Sequence, residues 1–410
     1  MASSPPDLRP DETRKSFLVC EPIARGLEHV PFNAGLLTII RTGHPERRIV
    51  FCAESEHSEH VRRQLGEDIA SSIEWSTITV PARDAEFYRR LPSDFRRVRG
   101  LLERVKSDNS SVVCTFSSGN ASILWSLKFL VSTFHRAARV QVVLHGDFSL
   151  LRYRTSLRRH LNPLYHLGSF RTAIRWACDR RVQHVVLEES VRDAVVEKYS
   201  FLRDRFVVLD HPLPGDRNDS EPRLLASPVC FGFLGRAYES KGFSSFLAVA
   251  VDISTRFPGL AEFHLIGSVD AQQQEQYATE LTFLAIRPET ATLDRGRFLD
   301  RLGRMHYVCL FYDDTYEFTA SGVLLDCVEW GKPIVGSRRS LFVHLEREFG
   351  EIGYLCDETE AQSVIEGLLM ALDSGRYHRQ VEAMLAIKVS RGPSVLAQRY
   401  SQLVEQFSQP

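Results

Sequence analysis

The stretch "YVCLFYDDTYEFTASGVLLDCVEWGKPIV", residues 307–335, decides the fold. It opens with an apolar run typical of a buried strand, continues through a polar loop into an amphipathic stretch, and closes with a second apolar run. Ser321 is a favoured helix N-cap residue, and Gly331 suits the position after a helix C-terminus. These signals predict strand, loop, a helix from about 322 to 330, and strand. The helix should turn Val323, Leu324, Cys327 and Val328 towards the core, and Asp326 and Glu329 away from it.

The same alternation of short apolar runs and amphipathic stretches fills the chain. Runs suited to strands begin near residues 17, 48, 73, 111, 140, 184 and 206, and again near 229, 262, 307, 333 and 352. Helix-like stretches such as 86–106 separate most of them. Strands that alternate with helices predict an α/β protein with two Rossmann-like, doubly wound parallel sheets.

The length of 410 residues exceeds what one ordinary core accommodates. The segment "HPLPGDRNDSEPR" at 211–223 concentrates proline, glycine and charge, which is typical of a linker. We predict a disordered arm at 1–14, a first domain at 15–212 completed by a C-terminal helix at 393–410, a linker at 213–228 and a second domain at 229–392. Two such sheets should face each other across a cleft at the carboxyl ends of their strands, where open α/β sheets bind ligands.

Composition narrows the class of protein. The net charge of −1 gives no reason to expect nucleic acid, and no apolar run approaches the roughly 20 residues of a spanning helix. The eight cysteines form no CxxC pair, so we expect no metal site and a reducing, cytoplasmic compartment. Buried positions are expected for the cysteines in strand-like runs, Cys20, Cys52, Cys114, Cys230 and Cys309.

The small residues around Ser321 suggest an anion site. A helix that starts just after a strand offers unpaired N–H groups, and the small side chains of Ser321 and Gly322 let an anion approach them. Asp326 lies about 7–8 Å further along the helix axis, an offset that suits a diphosphate at the helix end and a ribose hydroxyl on the carboxylate. The alternative is an ordinary capped helix with a solvated aspartate.

A second group of candidate residues follows the first strand of the second domain. The sequence "FLGRAYESKGF" places Gly235 at the turn, Arg236 beside it and Lys241 just before the next helix. Fixed cations at this edge suit the charge of a departing diphosphate, although either alone is an ordinary surface charge.

These motifs, with "FHLIG" ending at Gly267 and "ASGVLLDCVEWGKPIV", resemble the carboxyl-terminal domain of GT-B glycosyltransferases of the family-4-like group. The resemblance covers about 230–337 by motif and the rest by architecture. It implies that Arg236, Lys241 and the amides of Ser321 and Gly322 hold the donor diphosphate and that Asp326 binds the ribose. It also implies a donor that is a nucleoside-diphosphate sugar. We expect no cofactor, and no metal ion because the sequence contains no convincing DxD motif.

The chain departs from the family pattern at one glutamate. The pattern has two glutamates eight positions apart, and here Asp326 takes the second place and Phe318 the first. Glu317 is one residue out of register. Either the loop brings Glu317 into place, or the "TASG" segment with Thr319 holds the donor sugar.

In the resemblance, the first domain binds the acceptor. Its first strand leads into "EPIARGLEHVPFN", where Gly26, His29 and Asn33 are candidate acceptor-binding residues and Glu28 is a candidate base. The alternative is a polar loop without a ligand. The fifth strand ends in "LHGDF", where His145 is a candidate contact to the donor sugar or to a phosphate oxygen. Asp147 is a candidate general base for a reaction that inverts configuration.

Two stretches, 87–106 and 151–181, are rich in arginine interleaved with aromatic residues. Such a surface suits anionic lipid headgroups or a lipid-linked acceptor, and a solvated helix face is the alternative.

Taken together, the motifs make the leading hypothesis a metal-independent hexosyltransferase of polysaccharide biosynthesis. It would be cytoplasmic or peripheral on the inner membrane face, with a glycan or lipid-linked glycan as acceptor. The rivals are a degenerate nucleotide-sugar-binding or partner-binding module and a sugar-nucleotide epimerase. A Rossmann dehydrogenase is disfavoured because no GxGxxG follows a strand.

Overall fold

The computed structural model describes residues 16–81, 87–107, 113–145, 148, 151, 163–177, 179–215, 222–286, 290 and 293–408. The predicted arm at 1–14 lies outside them, as do residues 216–221 of the predicted linker. None of the described helices is both long and apolar enough to cross a membrane.

The described strands form two sheets. The first has the order β3-β2-β1-β4-β5-β6-β7 and the second the order β12-β11-β10-β8-β9, with parallel pairing from β3 to β6 and throughout the second sheet. The predicted α/β class with two parallel sheets is confirmed. The strands are β1 (Phe17–Cys20), β2 (Ile49–Ala53), β3 (Ile73–Thr77), β4 (Val113–Phe116), β5 (Arg139–Leu144), β6 (Val182–Val186), β7 (Phe206–Val208), β8 (Val229–Leu234), β9 (Ala261–Ile266), β10 (Tyr307–Leu310), β11 (Ile334–Ser337) and β12 (Gly353–Cys356).

Helices connect the strands. In the described residues they are α1 (Val30–Gly43), α2 (Ser55–Leu65), α3 (Glu67–Ala70), α4 (Phe87–Ser107), α5 (Ala121–Thr133), α6 (Pro163–Gly168), α7 (Phe170–Trp176), α8 (Glu189–Lys198), α9 (Phe243–Arg256), α10 (Ala271–Gln276), α11 (Arg295–Gly303), α12 (Gly322–Glu329), α13 (Ser340–Phe349), α14 (Ala361–Ala371), α15 (Ser374–Ser390) and α16 (Pro393–Ser408).

Most strand residues are apolar, and most of them are buried in the cores of the two units. The five cysteines of the strand-like runs are buried and unpaired, as predicted. In the second sheet, the Phe231 ring stacks on Phe263 at 5.3 Å and on Tyr307 at 5.8 Å between centroids, which packs three neighbouring strands together.

The chain forms two compact units. The first comprises Met1–Val186, Asp204–Val207 and Ala397–Pro410, and the second comprises Leu187–Arg203 and Val208–Leu396. The second unit thus includes α8, which the sequence places in a first domain ending at 212. The reason is packing: α8 contacts α13 and the turn Asp314–Phe318, and the rings of Tyr199 and Phe318 lie 6.2 Å apart.

Candidate functional site

The carboxyl end of β8 in the second unit makes a tight turn. Gly235 has a φ of 82°, a left-handed conformation that favours glycine. A Cβ on Gly267, just after β9, would lie 1.8 Å from the Gly235 carbonyl oxygen, so a side chain there would collide with the backbone. Glycine at both strand ends therefore lets the two loops pass close together.

Lys241 lies against this turn. Its Nζ is 3.1 Å from the point where a Cβ on Gly235 would stand, and Cγ2 of Val323 is 3.8 Å from the same point. The turn after β8, the Lys241 ammonium and the first turn of α12 therefore meet at one place. Burial lowers the pKa of Lys241 to about 8, although the charge of Asp326 acts in the opposite direction. Arg236 is exposed and lies over the Tyr238 ring at 5.1 Å.

The start of α12 is fixed by its N-cap. Ser321 Oγ accepts a hydrogen bond from the Leu324 amide at 3.1 Å and lies 2.7 Å from the Tyr312 hydroxyl, so the predicted cap is confirmed. Gly331, with a φ of 57°, follows the helix as expected. The amides of Gly322 and Val323 belong to the first turn, where a helix has no internal acceptor for them. This end of the helix, which carries the positive end of the helix dipole, lies near Gly235, because Val323 Cγ2 is 3.8 Å from the point where a Cβ on Gly235 would stand.

The prediction that Asp326 and Glu329 point away from the core is wrong. They are only 8% and 5% exposed, because each has a cationic partner from another helix. Arg295 Nη2 donates to Asp326 Oδ1 at 2.6 Å, and Lys388 Nζ lies 3.0 Å from Glu329 Oε1. The carboxylate expected to bind a ribose therefore already holds a guanidinium.

Phe318, which takes the place of the first family glutamate, is a core residue. It is 1% exposed, and the Lys198 ammonium lies 5.7 Å from its ring. Glu317 and Thr319 on either side of it are half-buried. The loop thus packs an aromatic ring against α8 where the family places an acid, and the donor roles of Glu317 and Thr319 stay predictions.

In the first unit, the polar residues at the carboxyl ends of β1 and β4 surround a carboxylate that the sequence analysis missed. Glu21 is fully buried, and its Oε1 accepts from the amides of Ile23 and Ala24, each at 2.9 Å, and from Ser118 Oγ. Its Oε2 accepts from Asn33 Nδ2 at 3.2 Å and from Ser117 Oγ at 3.1 Å. The direct signal in the sequence was an acid immediately after the apolar run "FLVC".

The pKa of Glu21 is held well below its usual range. Burial acts to raise this pKa, but the charge of the neighbouring His29, with the donors of Ala24 and Ser118, outweighs it. His29 Nδ1 lies 3.6 Å from Glu21 Oε2, and the His29 side chain is 28% exposed. A buried, ionised carboxylate therefore stands behind a partly exposed imidazole.

Asn33 and His57 fix each other's orientation. Gly26 contributes its carbonyl oxygen 2.9 Å from His57 Nδ1, so this nitrogen carries the proton. His57 Nε2 then accepts from Asn33 Nδ2 at 2.9 Å. The structure thus brings the predicted residues Gly26, His29 and Asn33 together around Glu21, with His57 as a further member that the sequence did not indicate.

His145 also joins this group. Its ring stacks on His29 with centroids 4.3 Å apart, and its Nε2 donates to the Ser117 carbonyl oxygen at 2.7 Å. His29 itself has a φ of 59°, a strained left-handed conformation for a residue with a side chain. Glu28 is half-buried in the same loop, and Asp147 lies outside the described residues.

Known structures with the same architecture align along nearly the whole chain. No protein-family model matches the sequence, and neither does any curated protein. Sucrose-phosphate synthase from Thermosynechococcus elongatus superposes with a TM-score of 0.63 at 11% identity over 96% of this chain and 99% of that one. OtsA in its apo form gives 0.62 at 12% identity, covering 97% and 99%. Anabaena HepE in complex with UDP-glucose gives 0.62 at 12% identity, covering 95% and 99%. The chain has the GT-B fold.

This GT-B chain also contains one cluster of metal-type ligands among its described residues. Cys230, Glu262 and His264 have ligand atoms within 4.8 Å of one another, because Cys230 on β8 and Glu262 on β9 are register partners. The Arg223 guanidinium lies 3.4 Å from Cys230 Sγ and supplies a positive charge to the cluster. No sequence spacing indicates this group, since Cys230 comes from β8 while Glu262 and His264 come from β9.

Proposed function

We propose that the protein is a glycosyltransferase of the hexosyltransferase class. It would move a sugar from a nucleoside-diphosphate sugar to a hydroxyl of a glycan or lipid-linked glycan. The observation that supports this is the meeting of Lys241, the Gly235 turn and the first turn of α12 at one sheet edge. HepE was solved with UDP and with UDP-glucose, so uridine donors are the first to test.

The proposed donor site neutralises the leaving diphosphate with protein groups rather than a metal ion. The Lys241 ammonium and the Gly322 and Val323 amides would stabilise the charge that develops as the glycosidic bond breaks. Arg236 is exposed at the same strand end and would move from the Tyr238 ring onto the diphosphate. Asp326 would bind the ribose while sharing its carboxylate with Arg295.

The proposed acceptor site is the Glu21 cluster of the first unit. His29 and Asn33 would bind the acceptor hydroxyl beside Gly26, and Glu28, Asp147 and His145 are the proposed catalytic residues. The stacking of His145 on His29 supports this proposal, because it links the strand end of β5 to the loop after β1.

Product analysis tests the proposal. Incubation with UDP-glucose and candidate glycans should yield a glycosylated acceptor and UDP, detected by mass spectrometry. Lys241→Met should lower turnover about 10- to 100-fold, because the leaving diphosphate loses its buried cation. Lys128→Met, which removes a lysine from the first unit, is the matched control. Equal turnover of wild type and Lys241→Met would remove Lys241 from the site.

One observation favours a second candidate, a module that binds a nucleotide sugar without turnover. Asp326 is held by Arg295, and Phe318 replaces the first family glutamate. Such a module would bind UDP-glucose and form no product with any acceptor. An epimerase would instead convert or hydrolyse the donor in the absence of acceptor, so the two alternatives are separated by the same assay.

A further inference from the structure

Two neighbouring turns of the first unit carry four arginines around one pocket. The turn between α5 and β5 contributes Arg136 and Arg139, and the turn between α7 and β6 contributes Arg180 and Arg181. Ala137 completes the lining, so no acidic residue lines the pocket among the described residues. This pocket, called here the arginine pocket, lies at the amino ends of β5 and β6. It is therefore at the opposite edge of the sheet from the Glu21 cluster.

The backbone holds these cations close together. β5 and β6 are parallel neighbours in which Val140 is the register partner of Val182, and the Val140 amide donates to the Arg181 carbonyl oxygen at 2.9 Å. Arg139 and Arg181, which precede these two residues, therefore stand on adjacent strands about 4.8 Å apart. Like charges at such positions repel, so an arrangement of this kind favours a bound anion.

The carboxylate nearest to these arginines in the sequence, that of Asp179, already contacts two cationic side chains. Asp179 accepts from Arg181 Nε at 2.7 Å and from Arg181 Nη2 at 2.8 Å, and the Lys128 ammonium lies 3.4 Å away. The hydrogen bonds from Arg181 hold the pKa of Asp179 well below its usual range. Arg139 lies over the Phe407 ring at 5.9 Å. For the side chains of Arg136 and Arg180, no ion pair or hydrogen bond occurs with any described residue.

The size and chemistry of the pocket point to a phosphoryl ligand. Its volume is about 270 Å³, the space of roughly nine water molecules at about 30 Å³ each. Guanidinium groups bind phosphate oxygens in pairs through parallel N–H donors, and four of them match a ligand with two or more negative charges. Each of the two turns is preceded by an exposed aromatic residue. Phe134, two positions before Arg136, is 65% exposed, and Trp176, four positions before Arg180, is 63% exposed.

We propose that the arginine pocket binds phosphoryl groups that carry at least two negative charges. The exposed Phe134 and Trp176 favour a lipid headgroup as the source, since aromatic rings and arginines together suit the membrane interface. A soluble polyphosphate offers the same chemistry without the apolar contact. The site is separate from the donor site and does not depend on the proposed glycosyl transfer.

Vesicle binding of the full chain tests the proposal. Phosphatidylcholine vesicles with about one-fifth phosphatidic acid, a phosphomonoester lipid, should bind the protein, and pure phosphatidylcholine vesicles should not. The double variant Arg136→Gln/Arg180→Gln should lower the partition coefficient roughly 10- to 30-fold, and binding should weaken as salt rises. The matched control is Arg62→Gln/Arg63→Gln, which removes two exposed arginines from α2 and should bind as the wild type does.

Calorimetric titration with inorganic pyrophosphate distinguishes the source. It is made in a Lys241→Met background, so that binding at the proposed donor site does not contribute. Pyrophosphate binding that Arg136→Gln/Arg180→Gln abolishes, without vesicle binding, would support the pocket with a soluble ligand. Failure to bind either probe would overturn the proposal. An equal loss of binding in the pocket variant and the α2 control would also overturn it, because general charge would then explain the effect.

Discussion

The carboxyl edges of the two sheets solve the problem of buried polar groups differently. In the first unit, Glu21 accepts from two amides, two hydroxyls and an asparagine, so the charged group is satisfied within the protein. In the second unit, the Lys241 ammonium stands beside a glycine turn and a helix N-terminus, and it makes no hydrogen bond or ion pair with any described residue. The comparison teaches that the first edge satisfies its buried charge within the protein, whereas the second edge leaves a buried ammonium without a hydrogen-bonding partner among the described residues.

The largest effect that would break this comparison is expected at Glu21. Glu21→Gln should lower the free energy of unfolding by about 3 kcal/mol, because an amide NH₂ would face donors of the same kind and the paired charge would be lost. Urea unfolding measures this loss, with Glu28→Gln in the same loop as control. A change below about 0.5 kcal/mol would mean that the network is not a stability element.

The same carboxylate should set a pH dependence of stability. The folded pKa of Glu21 lies well below the unfolded value of about 4.3, so its contribution is complete at neutral pH. The contribution falls as pH drops below that value and protons bind the unfolded state. Wild type should therefore lose more stability than Glu21→Gln between about pH 5 and pH 3, and parallel curves would contradict the assignment.

Lys241 should make ligand affinity depend on pH in the opposite direction, with affinity falling as pH rises. Because its pKa is lowered to about 8, the affinity for UDP should fall as pH rises above that value, by up to about tenfold per unit. Lys241→Arg keeps a cation at all these pH values and should flatten the curve. Calorimetric titration from pH 7 to pH 10 measures the effect. An unchanged slope in Lys241→Arg would assign the titration to another group.

The smallest expected effect concerns the cap of α12. Ser321→Ala should cost about 1 kcal/mol of stability, because the Leu324 amide and the Tyr312 hydroxyl lose a partner. Ser340→Ala at the start of α13 is the control, since Ser340 Oγ has no hydrogen-bond partner among the described residues. Equal effects of the two substitutions in thermal unfolding would show that the cap adds nothing.

The sequence was sufficient for the elements with a strong local signal. Each apolar run forms a strand. The cap at Ser321 and the glycine at 331 could be predicted because they depend on local backbone rules alone. The burial of Asp326 and its ion pair could not be predicted in this way. Its burial depends on Arg295, which lies 31 positions away and reaches it only in the folded chain.

The first unit shows a similar limit. Gly26, His29 and Asn33 were selected because they crowd one loop, and the structure brings them together. Glu21 was missed because a single acid after a strand has no periodic signature, and its importance comes from donors contributed by β4 and α1. Long-range hydrogen bonds of this kind are set by topology, which single-residue propensities do not encode.

The last helix, α16, has a consequence for how the protein is made. Tyr400 is buried in the first unit, with its hydroxyl 2.9 Å from Thr115 Oγ1 and 3.0 Å from Gln141 Oε1. A ribosome must therefore synthesise all of residues 208–396 after the first sheet emerges and before Tyr400 becomes available. At about 5–20 residues per second, the first unit waits roughly 10–40 s with β4 and β5 uncovered. The first unit is therefore begun before the second unit but is completed after it.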